Sequence, residues 1–122
     1  GNLIFDVAHN VEAAQVLADN LAAARVGRIH VVLGMLSDKP VEGFCAAIAP
    51  HALHFHAASL PPPRGLDARA LVSRATGAGV PLTPYADVAG ALDAARAAAA
   101  GTPVLACGSF LTVAAAMERA GG

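Results

Sequence analysis

Short apolar runs alternate with longer helical patterns along the whole chain, and this alternation constrains the fold more than any other feature. Few polar residues interrupt the apolar runs, as expected for strands that are buried on both faces of a parallel sheet. We predict strands at residues 3–8, 29–35, 52–58, 80–85 and 103–108. Helices are predicted at residues 10–24, 40–49, 66–77, 86–100 and 110–121. Repeated strand–helix units favour right-handed crossovers. The predicted fold class is therefore α/β, a Rossmann-like, doubly wound, mostly parallel sheet with helices on both faces.

The composition fits one packed domain. The chain has 122 residues, of which 56% are hydrophobic and 14% are charged, so it can bury a core and is not disordered. No apolar stretch reaches the roughly 18 to 20 residues that a membrane helix needs. A formal charge of -1 leaves no basic surface for nucleic acid or anionic lipid. We expect residues 1–122 to form a single domain that binds neither nucleic acid nor membrane.

The cysteines and the ends of the chain indicate the cellular compartment and the kind of protein to which this domain belongs. Cys45 and Cys107 form no CxxC pair, which indicates reduced thiols in the core of a cytoplasmic protein. The N-terminus shows no basic segment followed by an apolar one, so we expect no signal peptide. The chain starts and ends abruptly around its predicted elements. We therefore expect it to be a domain of a longer protein.

Polar side chains follow three of the predicted strands, at the point where each strand ends. They are Asp6, His9 and Asn10 after the first strand, Ser37, Asp38 and Lys39 after the second, and Ser109 and Thr112 after the last. In open α/β sheets, ligands bind beyond the carboxyl ends of the strands, where helix N-termini present free N–H groups. If the sheet is parallel, all three groups lie at one edge, which predicts a ligand site there.

These polar residues also have ordinary structural interpretations. Asn10 and Ser109 are natural N-caps for the helices that follow them. Lys39 before Pro40 fits a helix whose first position is proline. Asp6 is harder to assign to structure, because an aspartate at the end of a buried strand loses hydration and needs a cation, several donors or a ligand hydroxyl. The residues alone leave structural and functional roles open.

Three histidines lie close together in the sequence, as the ligands of a metal site often do. His54 and His56 share one face of a predicted strand, and His51 precedes them. No acidic residue or cysteine lies close to them in sequence to complete a ligand set. The pattern favours half-exposed strand histidines, and we predict no metal site.

Several common catalytic motifs are missing from the sequence. There is no GxxxxGKS/T phosphate-binding loop and no GxGxxG dinucleotide fingerprint. A GxSxG nucleophile elbow is also absent. Polar groups at strand ends without a phosphate-binding loop indicate half of an active site.

Four motifs carry a resemblance to a known family. They are FDVAHN at 5–10, VLGMLSDK at 32–39, PPRG at 62–65 and CGSFLTVA at 107–114. In order and spacing the chain resembles the C-terminal domain of the bifunctional dihydrofolate synthase/folylpolyglutamate synthases, within the Mur ligase superfamily. The resemblance implies an ATP-dependent ligase that adds L-glutamate to dihydropteroate and to folate γ-glutamyl tails through an acyl phosphate. It also implies an N-terminal P-loop domain as partner, which holds Mg²⁺, and an isolated C-terminal domain that is inactive.

The resemblance assigns roles to four residues. Asp6 matches an aspartate that contacts ATP, and His9 matches a histidine near the incoming glutamate and the transferred phosphoryl group. His9 is therefore a candidate for both catalysis and glutamate binding. Ser109 matches a serine that is implicated in glutamate binding, and Lys39 lies where a basic residue would suit a glutamate carboxylate. The sequence departs from the family at Val11, where HNV replaces HNP.

Two further hypotheses stay open. The chain could be the C-terminal domain of a peptidoglycan Mur ligase, or a free-standing α/β binding module without catalytic activity. A P-loop encoded upstream would exclude the free-standing module. Acceptance of dihydropteroate by the full enzyme, and not of a nucleotide-linked muramyl substrate, would exclude the peptidoglycan ligase.

Overall fold

A computed structural model describes residues 2–121, in which strands and helices alternate from end to end. The strands are β1 (Leu3–Phe5), β2 (Ile29–Leu33), β3 (Ala52–Ala58), β4 (Leu82–Tyr85) and β5 (Val104–Cys107). The helices are α1 (Val11–Ala24), α2 (Val41–Ile48), α3 (Ala68–Ala75), α4 (Val88–Ala99) and α5 (Phe110–Gly121). Short 3-10 turns extend α2 (Ala49–His51) and α3 (Thr76–Ala78). Every predicted element is confirmed, with ends that differ by up to three residues.

The strands form one sheet in the order β1-β5-β2-β3-β4, and every neighbouring pair is parallel. The chain runs outward from β2 to β4 and then returns to insert β5 between β1 and β2. This reversal creates a topological switch point beside β2. The predicted doubly wound parallel sheet is confirmed.

Helices cover both faces of the sheet. One core cluster joins α1, α2 and α3 to the first face, with Leu17, Phe44 and Leu71 fully or almost fully buried. A second cluster joins α4 and α5 to the opposite face. The buried face of α4 is made largely of alanines, and these small side chains let the helix pack closely on β2 and β3. No helix within residues 2–121 is long and apolar enough to cross a membrane.

Both cysteines lie in the core as free thiols, as predicted. Burial raises the pKa of the Cys45 thiol to about 12 and that of the Cys107 thiol well above its usual value. Neither thiol is therefore a nucleophile at neutral pH.

The start of α2 differs from the prediction. Pro40 is the N-cap residue, with φ -80° and ψ 74°, and the helix begins at Val41. We predicted that Pro40 would occupy the first helical position. The Val41 N–H donates to the Lys39 carbonyl over 2.9 Å, so a tight turn at Pro40 delays the helix by one residue.

Candidate functional site

The candidate site lies at the carboxyl edge of the sheet, where the loops after β1, β5 and β2 adjoin because these strands are neighbours. Backbone hydrogen bonds join the loops. The Gly108 N–H donates to the Ala8 carbonyl over 3.2 Å, and the Gly34 N–H donates to the Cys107 carbonyl over 3.3 Å. The prediction that the three polar groups share one edge is confirmed.

Glycine and threonine allow the β2 and β5 loops to approach each other closely. Gly108 has φ +105°, and a Cβ at this position would lie 2.6 Å from the Gly34 carbonyl oxygen. The Thr112 hydroxyl donates to that same oxygen over 2.9 Å and is fully buried. Thr112 therefore ties α5 to the end of β2, a role that its position in the sequence did not indicate.

Asp6 follows the last residue of β1 and is half-buried. Its N–H extends the hydrogen bonding between β1 and β5 by donating to the Ala106 carbonyl over 3.1 Å. Its Oδ1 accepts the Ala8 N–H over 2.8 Å, which is the one hydrogen bond this carboxylate accepts within residues 2–121. The second carboxylate oxygen therefore retains its capacity to accept a hydrogen bond from a ligand.

His9 and Asn10 follow in the same loop and are exposed. Asn10 Oδ1 accepts the Ala13 N–H over 2.8 Å, so the predicted N-cap of α1 is confirmed. His9 Nδ1 lies 3.2 Å from the Val7 carbonyl, which can only accept, so Nδ1 carries the proton. In the neutral ring, Nε2 then presents a lone pair toward solvent.

Ser109 is the N-cap of α5, as predicted. Its Oγ accepts the Leu111 N–H over 2.9 Å and the Thr112 N–H over 3.3 Å. The residue is only 3% exposed. Within residues 2–121 its hydroxyl proton has no acceptor, so any glutamate contact would use that single donor.

Lys39 lies at the end of the β2–α2 loop and is half-buried, whereas Ser37 and Asp38 are exposed. The Lys39 side chain forms no ion pair with any residue in the described part of the chain. Its main-chain N–H donates to the Leu36 carbonyl. Its main-chain carbonyl accepts hydrogen bonds from the Val41 N–H and from the guanidinium of Arg74 in α3. The sequence did not indicate a role for Arg74, which lies 35 residues away along the chain.

A groove of about 710 Å³ lies beside this edge. It runs between the β3–α3 loop, the start of α4 and one side of α5, and Leu60, Val88 and Leu111 contribute to its walls. None of the four predicted site residues lines it. Asp6 and Lys39 are half-buried and His9 is exposed, whereas Ser109 is almost fully buried.

The histidine cluster lies elsewhere, on β2 and β3. His30 Nδ1 is 2.9 Å from His56 Nε2, and His56 Nδ1 is 3.0 Å from the Tyr85 hydroxyl. His54 Nε2 lies 2.7 Å from Thr83 Oγ1. No group of three side chains in residues 2–121 has a geometry that could hold a metal ion.

One prediction for these histidines is wrong. His56 is 4% exposed rather than half-exposed, because α4 and the neighbouring strands cover it. Burial, with smaller contributions from His54 and His30, lowers the pKa of His56 to about 4. His30 and Tyr85 were missed because their contacts depend on the register of three strands.

Comparisons with known proteins match this arrangement. The family model for the Mur ligase glutamate ligase domain matches residues 1–110. The chain is 42% identical to the dihydrofolate synthase/folylpolyglutamate synthase of Escherichia coli (strain K12), over 98% of this chain and 29% of that protein. The chain therefore spans less than a third of the length of this relative.

Solved structures agree with the sequence match. The E. coli enzyme FolC in complex with DHPP and ADP superposes with a TM-score of 0.86 at 37% identity, covering 98% of this chain and 28% of that one. The Yersinia pestis bifunctional synthase complexed with AMPPNP and a Mn ion gives a TM-score of 0.87 at 36% identity, with the same coverage. Given the doubly wound sheet, its three adjoining loops and these matches, the chain belongs to the glutamate ligase domain family of the Mur ligases.

Proposed function

We propose that this chain is the glutamate ligase domain of a cytoplasmic, ATP-dependent dihydrofolate synthase/folylpolyglutamate synthase. The enzyme would join L-glutamate to dihydropteroate and then extend the γ-glutamyl tail of folates. The observation that carries the proposal is the edge formed by three adjoining loops, which offers a carboxylate, an imidazole and an ammonium but no phosphate-binding loop. The 42% identity to a synthase of this type supports the choice of substrates.

The reaction that we propose has two steps. ATP first transfers its terminal phosphoryl group to the substrate carboxylate, which gives an acyl phosphate and ADP. The amine of glutamate then attacks the acyl carbon, an amide bond forms and phosphate leaves. Neither step requires a covalent bond to the protein, so the contribution of this domain is to position substrates and transfer protons.

The free carboxylate oxygen of Asp6 is suited to accept a hydrogen bond from a hydroxyl group of the nucleotide. His9 Nε2, which has no partner among residues 2–121, can accept the proton that the glutamate ammonium must lose before it attacks. Lys39 offers an ammonium to a glutamate carboxylate, and a charge-assisted contact of this kind is stronger than a neutral hydrogen bond. Ser109 supplies one hydroxyl donor beside the same loops.

The Mg²⁺ that such enzymes use does not fit this domain. No group of three histidine, cysteine, aspartate or glutamate side chains that could hold a metal ion occurs in the described part of the chain. We therefore assign the metal to the remainder of the enzyme, a P-loop domain that precedes this one.

That N-terminal domain is the partner we propose for the open edge. Large apolar side chains surround the polar groups and are unusually exposed, namely Val7 (48%), Val11 (42%), Phe110 (72%) and Leu111 (48%). Exposed apolar surface beside a polar site is characteristic of a surface that another body covers. The relatives are more than three times longer than this chain, which supports a further domain as the body that covers this surface.

The test uses the full-length enzyme that contains this chain, beside the isolated domain. We expect the full-length enzyme to convert dihydropteroate, glutamate and ATP to dihydrofolate, ADP and phosphate, and the isolated domain to fold but hydrolyse no ATP. Turnover of a nucleotide-linked muramyl substrate, without turnover of dihydropteroate, would assign the chain to the peptidoglycan ligases instead. Steady ATP hydrolysis by the pure isolated domain would contradict its role as half of a site.

A further inference from the structure

The guanidinium of Arg74, in the last turn of α3, contacts both peptide carbonyls that flank Asp38. Its Nη1 donates to the Ser37 carbonyl over 3.0 Å, and its Nη2 donates to the Lys39 carbonyl over 3.0 Å. The same group forms a bidentate pair with Glu42 in the first turn of α2, at 3.2 Å from Nε and 3.1 Å from Nη2. One planar group therefore joins α3, the β2–α2 loop and α2.

The carboxylate of Glu42 holds the guanidinium in this orientation. The hydrogen bond from Arg74 lowers the pKa of the Glu42 carboxyl, so the partner is ionised at neutral pH. The Arg74 side chain is 32% exposed and that of Glu42 is 64% exposed. An exposed pair contributes little to stability on its own. The two carbonyl contacts therefore set Arg74 apart from an ordinary surface ion pair.

These contacts fix the backbone from which the Lys39 side chain projects. The Lys39 N–H donates to the Leu36 carbonyl over 3.2 Å, and the Lys39 carbonyl accepts both the Val41 N–H and Arg74 Nη2. The other side of the loop is held by the Ser37 N–H, which donates to the Arg64 carbonyl over 2.7 Å. Without Arg74, the loop would keep its turn but lose its attachment to α3.

We propose that Arg74 is a positioning residue for the glutamate pocket, which holds the β2–α2 loop so that the Lys39 ammonium is presented at the carboxyl edge. This inference rests on the proposed function of Lys39. A lysine would replace the arginine only in part, because one ammonium does not offer a planar fork that reaches two carbonyls and a carboxylate together.

The test is steady-state kinetics of Arg74→Gln in the full-length enzyme, with glutamate and ATP titrated separately. We expect the KM for glutamate to rise about tenfold, the equivalent of one charge-assisted contact or about 1.4 kcal/mol. The KM for ATP should stay within about twofold of the wild-type value, since Asp6 lies in another loop. If Arg74→Gln does not fold, Arg74→Lys keeps the charge and serves in its place, with a smaller increase expected.

Arg119→Gln is the matched control. Arg119 also forms a bidentate exposed pair, with Asp93, at 3.1 Å from Nε and 2.6 Å from Nη2. It joins α4 to α5 and does not contact the β2–α2 loop. We expect this variant to lose a similar small amount of stability and to keep the wild-type KM for glutamate. Equal melting shifts with unchanged glutamate KM in both variants would overturn the inference and leave Arg74 a stabilising residue only.

The double variant Lys39→Met/Arg74→Gln separates this inference from the proposed function. If Arg74 acts through Lys39, the glutamate KM of the double variant equals that of Lys39→Met alone. If Lys39→Met raises the glutamate KM and Arg74→Gln does not, the positioning role fails while the pocket stands. If Lys39→Met has no effect, the pocket itself is wrong and the role of Arg74 in it falls as well.

Discussion

Lowering the pH from 8 to 5 should destabilise this domain, chiefly through one buried histidine. His56 lies between His30 and Tyr85, bonded to both, and is 4% exposed. The charged and titratable groups near it are His30, His54 and Tyr85, and none of them is a carboxylate that could balance an imidazolium. The buried residues of α4, which packs on β2 and β3, are apolar. The folded state therefore favours the neutral ring.

The size of the effect follows from proton linkage. The pKa of His56 falls from 6.5 to about 4 on folding, so the unfolded chain binds more protons between these values. The stability from the neutral ring is fully present above pH 6.5 and is lost as the pH falls toward 4. The complete shift corresponds to about 3 kcal/mol, and about 2 kcal/mol of it is lost between pH 8 and pH 5. For a domain whose total stability is about 5 to 15 kcal/mol, this loss is large.

Urea denaturation of the isolated domain, followed by circular dichroism at pH 8 and pH 5, measures this loss. His56→Gln keeps hydrogen-bonding groups but cannot titrate, so it should reduce the pH dependence of the unfolding free energy by about 2 kcal/mol relative to the wild type. The matched control is His51→Gln, which removes a histidine outside the cluster and leaves the contacts of His56 in place. If His56→Gln and the wild type lose equal stability between the two pH values, the buried cluster does not stay neutral as we argue.

The remaining predictions concern the candidate edge and its partner. In the full-length enzyme, Asp6→Ala should weaken ATP use by about 10- to 150-fold, as expected for the loss of a hydrogen bond with a charged acceptor, and an unchanged KM for ATP would assign Asp6 to structure. Gly108→Ala should lower the free energy of unfolding by about 2 kcal/mol or more, because φ is +105° and a Cβ would lie 2.6 Å from the Gly34 carbonyl oxygen. A melting temperature equal to that of the wild type would refute this packing. Phe110→Ser should lower the activity of the full-length enzyme several-fold. Met117→Ser should leave the activity unchanged, although it alters a 54% exposed side chain two turns farther along α5. Equal activities of the two variants would place the domain interface elsewhere.

Much of the fold was predictable because its signals are local. Apolar runs bounded by helical patterns located every strand and helix, and the capping roles of Asn10 and Ser109 followed from their positions before those helices. The shared edge followed from the parallel sheet alone, since parallel strands end on the same side. The adjacency of β1, β5 and β2 required the strand order, which local patterns do not encode.

The misses share one physical cause, which is dependence on tertiary contacts. By its spacing Val11 fits the apolar stripe of α1, yet it is 42% exposed at the end of the helix that borders the candidate edge. The contact between His30 and His56 depends on the register of β2 against β3. The contact between Thr112 and Gly34 spans 78 residues and depends on where α5 docks. The periodicity of apolar residues does not indicate which residues far apart along the chain are in contact.

The most direct test of the central claim is the KM for glutamate in the full-length enzyme, measured for Lys39→Met and Ser109→Ala beside the KM for ATP. Lys39→Met keeps the apolar stem and deletes the charge, so it isolates the proposed carboxylate contact. Ser109→Ala also removes an N-cap worth about 1 kcal/mol, so a thermal melt must accompany its kinetics. We predict that both variants raise the KM for glutamate more than the KM for ATP. If both keep the wild-type KM for glutamate while remaining folded, glutamate does not bind at this edge of the sheet.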